Sequence, residues 1–121
     1  MLKAIKINKM EIKMIPKEVK AEVNKIIDEF NKEELDLIND FYKYIAEFKD
    51  QFVFLKTKKY KTVSPVARLT YTGDMNNWQF TIYKYSSEKY DNEEFFFPGI
   101  EYLDGTVKGA LYAVNTAYPP M

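Results

Sequence analysis

Residues 65–85 carry the pattern that most limits how this chain can fold. Two runs of alternating side chains, 65–72 and 78–85, flank a segment of turn formers, Gly-Asp-Met-Asn-Asn at 73–77. A period of two marks strands, and so short a connection joins them as a hairpin. Placing Thr72 opposite Asn77 sets Tyr71 against Trp78, Leu69 against Phe80 and Ala67 against Ile82, all six on one face. A slip of one residue would scatter them over both faces, so burial selects this register. The reverse face then carries Arg68, Thr70, Gln79, Thr81, Tyr83 and Tyr85.

The elements around this hairpin follow from periodicity. Residues 2–15 alternate: Ile5 and Ile7 oppose Ala4 and Lys6, and Met10, Ile12 and Met14 oppose Lys9, Glu11 and Lys13. They read as an N-terminal strand, or as two short strands broken at Asn8-Lys9. Pro16 starts a helix with a stripe of Val19, Val23, Ile26, Ile27 and Phe30. The run from Asn31 to Glu34 resembles a capping box and predicts a second helix. Leu37, Ile38, Phe41, Ile45 and Phe48 form its stripe, and it ends near Lys49-Asp50. Strands are expected at 52–57, at 65–72, at 78–85 and, as a short edge stopped by Pro98-Gly99, at 94–97. Residues 86–92 read as a loop. Asp104, Gly105 and Thr106 start a final helix, with Asp104 placed to occupy its free N–H groups. Its stripe is Val107, Ala110, Leu111, Val114 and Tyr118, and Pro119-Pro120 ends it. Gly109 inside that helix is unfavourable by about 1 kcal/mol relative to Ala, which close packing of the turn against the sheet would explain. The fold class is therefore α+β: a mainly antiparallel β-meander of four strands, with two N-terminal helices and one C-terminal helix on it and a further strand at the N-terminus. No repeat or linker divides the 121 residues, so one domain is expected.

Composition narrows the chemistry. Cysteine and histidine are both absent. Disulfides, thiolate nucleophiles, Cys/His zinc sites and His-based triads are thereby excluded. Carboxylate, hydroxyl, Lys, Arg, Tyr and backbone chemistry remain. Eighteen basic and eighteen acidic side chains balance, which argues against a general nucleic-acid coat and leaves room for a local basic patch. The first fifteen residues lack the unbroken apolar stretch of a signal peptide, and no run is long enough for a membrane span; a cytoplasmic protein is the expectation. Ten Tyr, nine Phe and one Trp exceed what a core this size needs, so some are expected to supply contact surface.

Three constellations follow. Lys56, Lys58, Lys59 and Lys61 surround Tyr60, and no acidic residue intervenes before Arg68. Such a run could hold phosphates while tyrosines stack on bases, or it could be an ordinary solvated hairpin end whose lysines discourage edge pairing. Glu88, Asp91, Glu93, Glu94, Glu101 and Asp104 gather acid in one region, as an acid–base or cation site or as a plain acidic surface. The polar sheet face with Arg68, Gln79, Thr81, Tyr83 and Tyr85 is a binding surface or simply a solvated one. Phe52 and Phe54 fall on one face of their strand and Val53 and Leu55 on the other, so helices on one side alone leave apolar side chains open for self-association or another partner.

The residues Tyr71-Thr-Gly-Asp74, Asn77-Trp78, Tyr83-Lys-Tyr-Ser86, Tyr90-Asp91, Phe97-Pro-Gly99, Asp104-Gly-Thr-Val107, Gly109-Ala110 and Ala117-Tyr-Pro119 form a motif string. It resembles that of a family of small, uncharacterised bacterial proteins, a domain of unknown function. The resemblance covers the C-terminal half and excludes residues 56–61. It implies the same α+β fold and brings no activity, cofactor or catalytic residue.

The expectation drawn from all this is a non-enzymatic binding or protein-interaction module without a cofactor. A nucleic-acid module using Lys56, Lys58, Lys59, Lys61 and Arg68 on phosphates, with Tyr60, Tyr83 and Tyr85 stacking, is the alternative. A carboxylate enzyme using Asp74, Asp91, Glu93 and Glu94 is the third.

Overall fold

The computed structural model describes residues 13–35, 41–93 and 96–120. Helix α1 spans Lys17–Phe30. The carbonyl of Pro16 accepts from the amides of Val19 and Lys20 at 3.1 and 3.0 Å, and the missing N–H of proline is harmless at this position. Val23, Ile27 and Phe30 are buried, with Val19 and Ile26 packed against them, as the stripe predicts. The expected N-terminal strand lies outside the described residues except for 13–15, which are irregular.

The second predicted helix is replaced. After Phe30 the chain widens into one π turn, Asn31–Leu35, and Tyr42–Lys49 is strand β1. Leu37 and Ile38 lie outside the described residues. The segment supports both periods: Phe41, Ile45 and Phe48 recur at helical spacing, Tyr42, Tyr44, Ala46 and Phe48 at spacing two. Tertiary pairing decides between them. As a strand the segment ladders against the next strand, β2 (Phe52–Lys59), from Tyr42↔Lys59 to Lys49↔Phe52, through a tight turn with Asp50 at φ 56°. Tyr, Phe and Ile suit such a pleated, half-buried surface.

The predicted capping box is also redirected. Asn31 is buried and turns to the edge of β1. Its Nδ2 donates to the Tyr44 carbonyl at 3.0 Å, and its Oδ1 accepts from the Tyr44 amide at 2.9 Å. One side chain thus satisfies both outward groups of an edge residue, where an unmet pair would be unfavourable and an open invitation to another strand.

The sheet continues through β2 (Phe52–Lys59), β3 (Thr62–Thr70), β4 (Gln79–Lys84) and β5 (Lys89–Asp91), antiparallel throughout and in sequence order. The expected register holds, with Ala67 opposite Ile82 and Leu69 opposite Phe80. Just past the ladder the Tyr71 and Trp78 rings stand 4.9 Å apart. The short edge strand was misplaced. Glu94 lies outside the described residues and Phe96 and Phe97 are not in a strand; β5 forms instead within the expected loop, where Glu88 at φ 54° folds the chain back and Tyr90 pairs with Tyr83. A single 3-10 turn, Ile100–Tyr102, then leads to helix α2, Val107–Ala117. Thr106, not Asp104, caps α2, its Oγ1 accepting from the Gly109 amide at 2.9 Å. Asp104 holds that cap, its Oδ1 accepting from the Thr106 amide and hydroxyl at 3.0 and 2.6 Å.

Among the described residues the result is a five-strand antiparallel meander with one N-terminal and one C-terminal helix packed on it. Phe30, Tyr44, Leu55, Leu69, Leu111 and Val114 belong to the core between the layers. A bulge between Leu55 and Lys56 in the β2–β3 register turns both Val66 and Ala67 inward. Phe52 and Phe54, on the sheet's other face, are half-buried by the chain's own rings. The Arg68 guanidinium lies 4.8 Å from the Phe52 ring centroid and 5.4 Å from that of Tyr90. The Phe54 and Tyr90 rings meet at 5.7 Å although two strands separate them, about 14 Å of flat sheet. The sheet must therefore curl toward this face, which also explains why Thr81 beneath the rings is only 5% exposed.

Gly109 owes its place to the loop before α2 rather than to the sheet. A Cβ there would lie 2.3 Å from Asp104 Oδ1 and 2.5 Å from the Tyr102 carbonyl oxygen. Gly109→Ala, which in an open helix would add about 0.8–1 kcal/mol, should here remove about 1–3 kcal/mol. Urea denaturation reads the sign directly; a variant as stable as the parent contradicts this packing.

Candidate binding site

The helix layer is shorter than the sheet. Helix α2 ends at Ala117, while the β2–β3 hairpin runs on to its turn at Tyr60-Lys61. Where the cover stops, a cavity of about 480 Å³ opens on the helix side of the sheet. That size suits a small organic molecule. Thr57 and Val66, both buried, belong to the sheet beneath it, and Tyr42, Tyr85 and Tyr118 wall it. Lys59, Tyr60, Thr62 and Ser64 bring the hairpin end to it.

The phenol hydroxyls at this site are committed to the frame. Tyr85 donates to the Pro65 carbonyl, filling the gap where β3 and β4 splay beyond Ala67, and Tyr118 donates to the Tyr83 carbonyl at 2.6 Å. The Tyr85 and Tyr118 rings meet edge-on at 5.4 Å. Burial raises the Tyr42 and Tyr85 phenols above their usual range, with hydrogen bonds to Thr57 and Tyr44 for the first and to Ser64 for the second opposing it. These walls are therefore neutral rings at physiological pH. Among the described lining residues Lys59 is the charged side chain.

Tyr60 is strained. It adopts φ 57°, a region where a bulky side chain costs about 1–3 kcal/mol, at a turn that Asn or Gly would make more cheaply. Its ring is 66% exposed and lies parallel to that of Phe41, 4.4 Å away. The pair forms an aromatic lip beside the cavity.

The residues singled out in the sequence divide between two places. Lys59, Tyr60 and Tyr85 line the cavity, joined by Tyr42, Thr57, Ser64 and Tyr118, which the sequence reading missed. Tyr85 thus leaves the polar face assigned to it, because β4 has ended and the chain turns. Lys56, Lys58, Arg68, Gln79, Thr81 and Tyr83 stay on the opposite, curled face; Lys61 lies exposed in the hairpin turn. Thr81 is too buried there to meet a partner.

The carboxylates serve turns. Asp74 Oδ1 accepts from the Asn76 amide and Asp91 Oδ1 from the Glu93 amide, each at 2.9 Å. Among the described residues no three potential metal ligands converge. The motif residues likewise build structure. Trp78 donates its amide to the Gly105 carbonyl at 2.7 Å, Thr72 donates to the Asn77 carbonyl, and Gly99, at φ 100°, lies against Ala113 so closely that a Cβ would meet its carbonyl oxygen at 2.4 Å. They close the loops at the end of the molecule carrying the β3–β4 connection. Among the described residues no helix is long and apolar enough to cross a membrane. Compared with family models, curated proteins and solved structures, the chain matches none.

Burial also raises the Tyr44 phenol, strongly, and that of Tyr90, while the hydrogen bond to Glu34 chiefly raises Tyr112. A raised phenol stays neutral in the fold where the unfolded chain ionises, so its contribution is complete below about pH 10 and is lost as pH climbs through the folded range. Thermal unfolding should hold steady up to about pH 9 and drop steeply above pH 10. Absorbance at 295 nm should show part of the ten tyrosines ionising only as the fold is lost. Ionisation of all of them in one step near pH 10, with native circular dichroism retained, contradicts this burial.

Proposed function

We propose that this protein is a non-enzymatic binding module, and that its ligand is a small planar aromatic anion held in the cavity between the β2–β3 hairpin and the end of α2. The observation that carries the reading is the lining itself: among the described residues, three tyrosine walls with hydroxyls and Lys59 at the hairpin end. A flat ring gains from stacked or edge-on contact with such walls. An ammonium at the hairpin favours a carboxylate or sulfonate over a neutral or cationic head group. The strained Tyr60 supports the same site, since strain kept at a surface turn points to a use for the side chain. Asp74 and Asp91, two of the four carboxylates of the enzyme reading, each hold a turn amide.

Titration calorimetry with 2-naphthoate, its neutral amide and 2-naphthylmethylamine tests the reading on the unmodified chain. The anion should bind at least about tenfold more tightly than the amide, and the amine weakest. Lys59→Met, which keeps the aliphatic stem, should bring the anion down to the level of the amide. Ser64→Phe should abolish binding of both. Equal affinities for all three probes, or no binding at about 1 mM, contradicts the proposal.

A further inference from the structure

We infer that the curled face of the sheet, opposite the helices and separate from the cavity, binds single-stranded nucleic acid. The face is strongly basic in a chain of zero net charge. Register and alternation assign it Lys43, Lys49, Lys56, Lys58 and Arg68, against Glu47 as the one acidic strand residue among the described residues. Glu47 is already taken, 2.7 Å from Lys56 Nζ.

Two features of this face are unfavourable to the fold and unexplained by it. Lys43 and Lys58 stand directly opposite each other on β1 and β2. Like charges at that spacing repel and destabilise the pair. Arg68 is half-buried with its Nε unpartnered among the described residues, its cation lying against Phe52 and Tyr90 instead of a carboxylate. The first is relieved by an anion laid across the strands.

The chemistry selects which anion. Lysines two apart on a strand, Lys56 and Lys58, are spaced by about 6.8 Å, a repeat that successive phosphates of an extended strand can follow. Beside the cations on the same face lie Phe52, Phe54, Tyr83 and Tyr90, all half-buried and so still presenting ring surface. The Tyr83 and Tyr90 rings meet edge-on at 5.1 Å, and Tyr90 lies 5.7 Å from Phe54, giving a continuous aromatic patch over Arg68 and Thr81. A base offers a π face to such rings and to a guanidinium, which an acidic peptide cannot.

Fluorescence anisotropy of a labelled fifteen-nucleotide oligothymidylate, titrated with the full chain, tests the inference. Micromolar binding at 50 mM salt should weaken about tenfold to twentyfold at 200 mM, as expected for some three phosphate contacts. The double variant Lys43→Ala/Lys58→Ala removes a repulsive pair, so it should melt no lower than the parent. It should bind about tenfold more weakly, with a salt slope shallower by about 1.4. An abasic oligomer of the same length should also bind at least about tenfold more weakly, from lost stacking. No binding at about 10 µM protein, salt-independent binding, or equal affinity for the abasic oligomer or for poly-glutamate overturns the inference.

Discussion

Tyr44 is where the two layers of this molecule are fastened together. Its backbone carbonyl and amide both bond to the side chain of Asn31 at the end of α1. Its ring meets Phe30 edge-on at 5.7 Å, and its hydroxyl donates to Asn115 of α2 at 3.0 Å. A strand at the edge of a sheet is thus held by both helices at one residue. Without that attachment β1 would be an eight-residue edge with open donors and acceptors, the arrangement most prone to pairing with another chain. Tyr112 adds a second tie, donating to Glu34 of the π turn at 2.8 Å.

The position of this joint sets where the sheet is covered and where it is not. Helix α2 is fixed over Tyr44, and it stops at Ala117 while β2 and β3 continue. The uncovered length becomes the cavity, closed at one side by Tyr118 and Pro119 as the chain leaves the helix. On the reverse face Phe52 and Phe54 are half-buried by other side chains of the sheet, Phe54 against Tyr90 and Phe52 against Arg68. The described residues therefore present two unlike surfaces: a cavity walled by tyrosines with Lys59 at its hairpin end, and a basic face whose rings pack over Arg68.

The hairpin at residues 65–85 was legible because its register is tied to burial: a shift by one would bury Arg68 and expose Leu69. Helices α1 and α2 were legible from stripes of Val, Ile, Leu and Phe at helical spacing. Strand β1 was not, because Phe41, Ile45 and Phe48 satisfy a helical period as well as Tyr42, Tyr44 and Phe48 satisfy a period of two, and only pairing with β2 separates them. Asn31 misled for a related reason. A cap and a clamp use the same amide group, and the sequence does not say whose backbone it meets. Within the site, Lys59 and Tyr60 could be picked out from the basic run around them. Tyr42 and Tyr118 could not, since they enter the cavity through the strand that was misread and through the chain end beyond a helix. An aromatic in a left-handed turn, as at Tyr60, has no sequence signature at all; the lack of Gly or Asn between two alternating runs is the nearest signal.

The clamp on Tyr44 can be tested at a single amide. Among edge-strand positions, outward-facing amides exchange with solvent quickly; one held by a buried side chain should open only with the whole domain. Hydrogen exchange followed by NMR should therefore show the Tyr44 amide protected as well as those of Leu55 and Leu69 in the sheet centre, with that protection lost in Asn31→Ala. An unprotected Tyr44 amide in the parent protein, or one equally protected in the variant, would contradict the account of how the helices and the sheet are joined.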